Sequence, residues 1–292
     1  MILGNLVRRN CRLYFRDKGM FFTSLITPAI LLVLYGTFLS DVFRDSFLMA
    51  FPPEMKVDTQ VVDGLVAGQV VSSILAVSCV TVAFCSNFLM VQDKANGTLR
   101  DLRMAPVKSA TLALGYFLAS LISTLLICLL ALGLCLLYMG SAGWYLTAGD
   151  VAALVLDVIL LVLFGTALSS VINFFLSSQG QISAVGTVVS SGYGFICGAY
   201  MPISSFGSGL QTVISFLPGT YGTGLVRNHA MGGALEKLGL PAESLREFRD
   251  MLDCNLYFQG SQVSPGAMYA ILGGTIGVLL IAYILLHKFR KK

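Results

Sequence analysis

Six long apolar runs, separated by shorter polar segments, set the pattern of the chain. They cover residues 20–40, 66–90, 112–139, 151–176, 182–201 and 268–286. A helix needs about 20 consecutive apolar residues to cross a bilayer, so each run predicts a transmembrane helix. The runs are continuous rather than alternating, which excludes a membrane barrel. Ahead of them, Leu3, Leu6, Val7, Cys11, Tyr14 and Phe15 recur at helical spacing, with Arg8, Arg9, Arg12 and Arg16 on the other side. That spacing predicts an amphipathic helix over 1–19, lying in the membrane interface. The first apolar run is too long for a cleaved leader, and five more follow it.

The connections carry the remaining pattern. Residues 41–64 read as a polar loop containing Pro52-Pro53, and 140–150 as a short turn with Trp144 and Tyr145 at the interface. Residues 177–181 are uncharged and long enough only for a tight hairpin. The segment 202–267 stays apolar as far as Leu217, yet it is too short and too broken by glycine to cross. Phe206, Leu210, Val213, Ile214 and Leu217 share one helical face, which predicts a re-entrant hairpin over 203–225. Its backbone must be shielded by protein. A surface helix over 243–252 follows, with Leu245, Phe248 and Leu252 inward. Residues 255–260, NLYFQG, coincide with most of a common protease tag site and receive no function.

The expected fold is therefore all-α: one polytopic membrane domain over 1–292, with six transmembrane helices, an N-terminal interfacial helix and a re-entrant hairpin before the last span. Composition agrees, with 56% hydrophobic and 12% charged residues; soluble domains carry about 25% charged. Charge adds orientation. With both termini in the cytosol, 13 Lys and Arg fall inside and 6 outside, as the positive-inside rule requires. The net charge of +4 is then a topology signal, and no basic folded face exists to bind nucleic acid. Of seven cysteines, only Cys254 falls outside, where it is either a free thiol or one half of an inter-subunit disulfide.

The loop 92–107, QDKANGTLRDLRMAPV, is the most specific segment. It is short, basic and held between two spans, so it faces the cytosol. Thr98 to Asp101 fits a helix-capping pattern, after the Asn96-Gly97 break and before Pro106. A short cytosolic helix pressed on the membrane results. The segment resembles the permease signature of type-2 ATP-binding-cassette (ABC) exporters, through Asp93-Lys94, Gly97-Thr98-Leu99, Leu102 and Pro106-Val107. Ala95 stands where that family usually has Glu, and Ala105 where it has Thr. Gly198-Ala-Tyr-Met-Pro202 and Leu217-Pro218-Gly-Thr-Tyr221…Arg227 resemble two further family segments in the same order.

The resemblance implies a permease that is not itself an enzyme. Two copies of a separate ATPase subunit would bind ATP and Mg, so this chain would carry no cofactor. A second permease subunit, identical or paralogous, would complete the pathway in the cell membrane. The coupling set would be Asp93, Gly97, Thr98, Leu99, Arg100, Asp101, Leu102 and Pro106. Leu99 and Leu102 either touch the ATPase or pack against this chain's own spans. The residues agree with a chain lacking ATP chemistry, since no Gly-x-x-x-x-Gly-Lys phosphate loop occurs. A secondary carrier would be expected to show midplane charges and broken helices, whereas Asp157 is the one ionisable acid or base in the six runs. Ser183, Thr187, Ser190 and Ser191 make the fifth span weakly polar and a candidate pathway lining, with Asp157 as a second candidate. Asp157 either faces the pathway or fixes a helix pair by hydrogen bonding. This apolar, hydroxyl-bearing surface suits a drug, lipid or lipidated peptide; family resemblance also allows a polysaccharide.

Overall fold

The computed structural model describes residues 2–34, 37–38, 40–50 and 58–289. Pro52-Pro53, Lys56 and the last three basic residues of the orientation count lie outside the described residues. Twelve helices and one small hairpin make up the described chain. Helix α1 (Ile2–Arg16) turns by 75° into α2 (Lys18–Leu34), and α3 (Ser40–Ala50) follows. Helix α4 (Thr59–Ala95) runs 37 residues and is buried along nearly its whole length. It is the axis of the fold, packed by α2, α6 (Ser109–Ala142), α7 (Ala148–Phe175), α8 (Gln179–Ile196) and α10 (Pro218–Lys237). The short α5 (Thr98–Met104) caps one end of α4, and α12 (Pro265–Phe289) closes against α7 and α10.

Four helices, α4, α6, α7 and α12, are long and apolar enough to cross a membrane, and the bent pair α1–α2 makes a fifth candidate. The expected count of six is not met on length and apolarity. Helix α8 has only 18 residues, and its Gly, Ser and Thr content lowers its apolarity. The described chain is an all-α polytopic membrane protein. Its lipid-type surface is visible on α6, where Leu126, Leu130, Leu134 and Leu137 recur every three or four residues and are 50–74% exposed.

The expected polar loop over 41–64 instead contains α3 and the first turns of α4, joined by an Arg44–Asp63 pair at 3.3 Å. The tight turns conform to expectation. Thr147 caps α7 through a reciprocal box with Asp150, and Ser178 caps α8 with Gln181. The larger difference lies after Pro202. Helix α9 (Ser208–Ser215) and α10 form a helical pair, and α10 continues 12 residues past Leu225 into the core. Sequence pattern hides this helix because Arg227, Asn228 and His229 interrupt its apolar run. Each finds a partner distant in the sequence. Arg227, 2% exposed, donates to the Gly198 carbonyl at 2.8 Å and pairs with Asp253 at 3.4 Å. Asn228 donates to the carbonyls of Gly224 and Cys254.

Glycine permits close approach at several points, of which two show the geometry. A Cβ on Gly68 would lie 2.8 Å from the Ala230 carbonyl oxygen, so α4 and α10 meet backbone to backbone there. Gly198 holds φ +72°, with Ile203 2.9 Å from where its Cβ would stand. The Gly194–Gly198 pair thus serves this chain's own turn; Gly273 and Gly277 on α12 face open space. Helix α11 (Ala242–Met251) buries Phe248, and Leu252 follows it inward. NLYFQG belongs to the fold: β1 (Leu256–Phe258) pairs with β2 (Ser261–Val263), and Leu256 is buried beside Tyr221, Leu225 and Met268.

Candidate functional site

At the α5 end of the bundle, two charged residues fix the last turn of α4. Asp93, 7% exposed, accepts hydrogen bonds from Arg9 Nη1 at 2.9 Å and Tyr116 Oη at 2.6 Å. One carboxylate oxygen therefore ties α1 and α6 to α4. Lys94 Nζ donates to the carbonyls of Asn173, Phe174 and Leu176 at 2.8–3.0 Å. These carbonyls lie at the end of α7, where a cation is favoured by both hydrogen bonding and the helix dipole. The charged pair clamps α4 on two sides. Asp93, one of the coupling candidates, is thus turned inward.

Helix α1 follows the same logic. Its packed face rests along α6, with Leu6 over Gly115 and the Cys11 thiol near the Ala119 carbonyl. Asn10 and Tyr14 are buried, and Tyr14 donates to Ser24 at 2.7 Å. Arg9 leaves the expected arginine face to reach Asp93, while Phe15, on the expected apolar side, is 40% exposed. Burial of a paired charge outweighs simple amphipathic sorting here.

Helix α5 begins differently from the expected capping pattern. Gly97, at φ +81°, occupies the cap, and Thr98 is the first helical residue without a side-chain capping bond. Only a glycine takes that left-handed turn without strain. Asp101 still sits in the first turn, where a negative charge is favoured by the helix dipole. Leu99 is buried with Leu89, Met90 and Tyr116, so it anchors α5 to its own chain. Leu102 is half-buried, and Arg100, Asp101, Arg103 and Pro106 are exposed. Met104 is 82% exposed. The coupling set thus divides into an anchor (Asp93, Leu99) and an outward face, and Met104 joins that face although sequence reasoning passed over it. Its signal was available, since it lies on the opposite side of α5 from Leu99.

A second feature lies between α2 and α8. A groove of about 1120 Å³ runs along them, floored by Cys85, Phe88 and Gln92 of α4. All four hydroxyl residues singled out from sequence, Ser183, Thr187, Ser190 and Ser191, line it. Thr187 donates to the Ser183 carbonyl at 2.9 Å and Ser191 to the Thr187 carbonyl at 2.7 Å. The opposite wall is apolar, from Ile26, Ile30, Leu31 and Leu34.

Asp157 does not join this groove. It is 1% exposed between α7, α10 and α12, contacting His229 Nδ1 at 2.6 Å and accepting from Tyr269 Oη at 2.7 Å. No basic partner was expected within the spans; α10, the helix hidden by its polar residues, supplies one. Asp157 fixes three helices together. Other buried polar contacts were also unforeseen: Ser86 bonds Ser120 and Thr124 on α6, and Asn87 bonds Ser169 and Ser170 on α7.

A search of curated proteins finds no match to this chain. A family comparison does. The pattern of the ABC-2 type transporter matches residues 3–229, which takes in α1, the α5 loop, the α2–α8 groove and most of α10; this chain belongs to the ABC-2 type transporter family.

Proposed function

We propose that the chain is the permease subunit of an ABC exporter, driven by a separate ATPase that docks on the outward face of α5. The observation that carries this reading is the division of α5: Leu99 is locked into the bundle while Arg100, Asp101, Met104 and Pro106 stand exposed. A helix held at one side and open at the other transmits a push to α4, α6 and α7 through the Asp93 and Lys94 clamps. The α5 end is cytosolic in this reading, with both termini there, as the Lys and Arg distribution supports.

Six crossings follow if α2 and α8 are completed by their partners in the membrane, and the α9–α10 pair is the re-entrant element. Two permease subunits and two ATPase subunits, with ATP and Mg on the latter, form the exporter in the cell membrane. The groove between α2 and α8 is one half of the pathway. Its apolar wall and sparse hydroxyls suit a hydrophobic or amphipathic substrate rather than a glycan, which needs dense hydrogen bonding along its length.

The test is recovery of the partner. Tagged chain purified from its native membrane is expected to carry a soluble subunit with a phosphate-binding loop. Met104→Glu, which changes an exposed residue, is expected to reduce that recovery about tenfold, the scale of a lost interface anchor, while the permease itself stays folded. Full recovery with the variant, or no ATPase with the parent chain, overturns the reading.

A further inference from the structure

The groove between α2 and α8 has an uneven polar lining, and the unevenness selects a class of ligand. Asp17 lies at one end of it, beside Gly19 and Met20, and Leu34 lies toward the other. Seventeen residues of helix separate them, roughly 25 Å at 1.5 Å per residue. Among the described lining residues Asp17 is the one carboxylate, and none is Lys, Arg or His. Arg16 and Lys18 flank it in the chain but do not line the groove. One Asp17 oxygen accepts the Met20 amide at 3.1 Å, and the side chain is exposed.

Two of the hydroxyls along α8 are engaged within their own helix. Thr187 and Ser191 spend their protons on carbonyls of α8. A hydroxyl has one donor and two acceptor lone pairs, so what these two residues offer the groove is acceptor capacity. The Asp17 carboxylate favours a head group that is positive and carries N–H donors. The Ile26, Ile30 and Leu34 wall favours an alkyl or aromatic tail.

We propose that this groove binds an amphipathic ammonium compound, a protonated primary or secondary amine with an extended apolar tail, its head at Asp17 and its tail along α2 and α8. This rests on the exporter reading for its purpose, but not for its test. The cation preference belongs to Asp17 and not to Asp157, whose carboxylate is enclosed by His229 and Tyr269.

The experiment uses the full chain in nanodiscs, without ATPase or ATP. A dodecylammonium analogue with a benzophenone in its tail is photolysed, and labelled residues are mapped by mass spectrometry. Competition by dodecylamine, charged at pH 7, is compared with competition by neutral dodecanol. Labelling is expected on the groove-facing residues of α2 and α8. Dodecylamine should compete about fivefold better than dodecanol, the upper range for a partly exposed ion pair. Asp17→Asn should abolish that difference, Asp17→Glu should retain it, and Asp157→Asn should leave it unchanged. Labelling elsewhere, equal competition in the parent chain, or a preference that survives Asp17→Asn overturns the proposal. Absence of labelling, with Ser191→Cys cross-linking two copies across the groove, assigns the groove to a second subunit instead and also overturns it. Intact amine binding without ATP-driven efflux would sink the exporter reading alone.

Discussion

Replacing Asp93 by Asn tests whether the base of α4 is an internal clamp. The substitution keeps the shape of the side chain and removes its charge. Asp93 Oδ2 accepts from Arg9 at 2.9 Å and from Tyr116 at 2.6 Å. A hydrogen bond to a charged group contributes about 1.5–3 kcal/mol, and breaking a fully buried ion pair costs about 3–5 kcal/mol. The Arg9 and Asp93 side chains are 30% and 10% exposed, so the full buried figure does not apply. An Asn also still accepts one of the two bonds. A loss of about 2 kcal/mol follows, roughly a thirtyfold shift in the folding equilibrium. Reversible unfolding in mixed micelles measures it. Arg9→Leu combined with Asp93→Asn should cost clearly less than the two single changes added, by about 1 kcal/mol or more. Hydrogen exchange should rise along α1, which loses one of its ties. Arg12→Gln, at an exposed site of the same helix, should change stability by less than about 0.5 kcal/mol. If Asp93→Asn is neutral, or the two costs simply add, the clamp does not exist and Asp93 is free to meet a partner.

Other variants probe the remaining ties. Asp157→Ala leaves His229 and Tyr269 without their shared acceptor and should cost about 3 kcal/mol in the same unfolding assay, with Asp157→Asn milder; equal costs would show that the hydrogen bonds contribute nothing. Gly198→Ala must hold φ +72° and displace Ile203, so a loss of about 1–2 kcal/mol is expected, and an unchanged midpoint would remove the argument for the turn. Cys254 is 2% exposed, and burial pushes its thiol up to about 11; it should resist maleimide in the folded protein at pH 7–8, because the reactive thiolate is scarce and shielded. Ser261→Cys, at the exposed tip of the hairpin, should label from outside intact cells, and labelling only after membrane rupture would reverse the proposed orientation.

What the sequence revealed depended on how local the cause was. Helices α4, α6, α7 and α12 are apolar over lengths that leave few alternatives, and the caps at Thr147 and Ser178 are contained within four residues. The sequence pattern places the start of α5 correctly but puts its cap at Thr98, because hydroxyl capping is a composition signal, whereas Gly97 acts through a positive φ. From its sequence, α10 looks like half a hairpin followed by polar loop. Its Arg227, Asn228 and His229 look like surface residues until Gly198, Cys254 and Asp157 are brought to them from 26 to 72 positions away. The partner of Asp93 is invisible in the sequence for the same reason, since Arg9 lies 84 residues earlier. The hydroxyl stripe of α8 is visible at helical spacing; the groove is not, because nothing in the mostly apolar α2 marks the face that turns toward α8.

The central claim is that α5 presents its outward face to an ATPase while Leu99 holds it to the bundle. Purified permease–ATPase complex, reconstituted in nanodiscs, tests it through Met104→Glu and Leu99→Ala measured side by side. Met104 is 82% exposed and Leu99 7%. The account predicts that Met104→Glu weakens ATPase binding about tenfold with the unfolding midpoint unchanged, and that Leu99→Ala lowers the midpoint by the roughly 2–5 kcal/mol of a buried leucine truncation. Undiminished ATPase binding by Met104→Glu, with the unfolding midpoint unchanged, would contradict it.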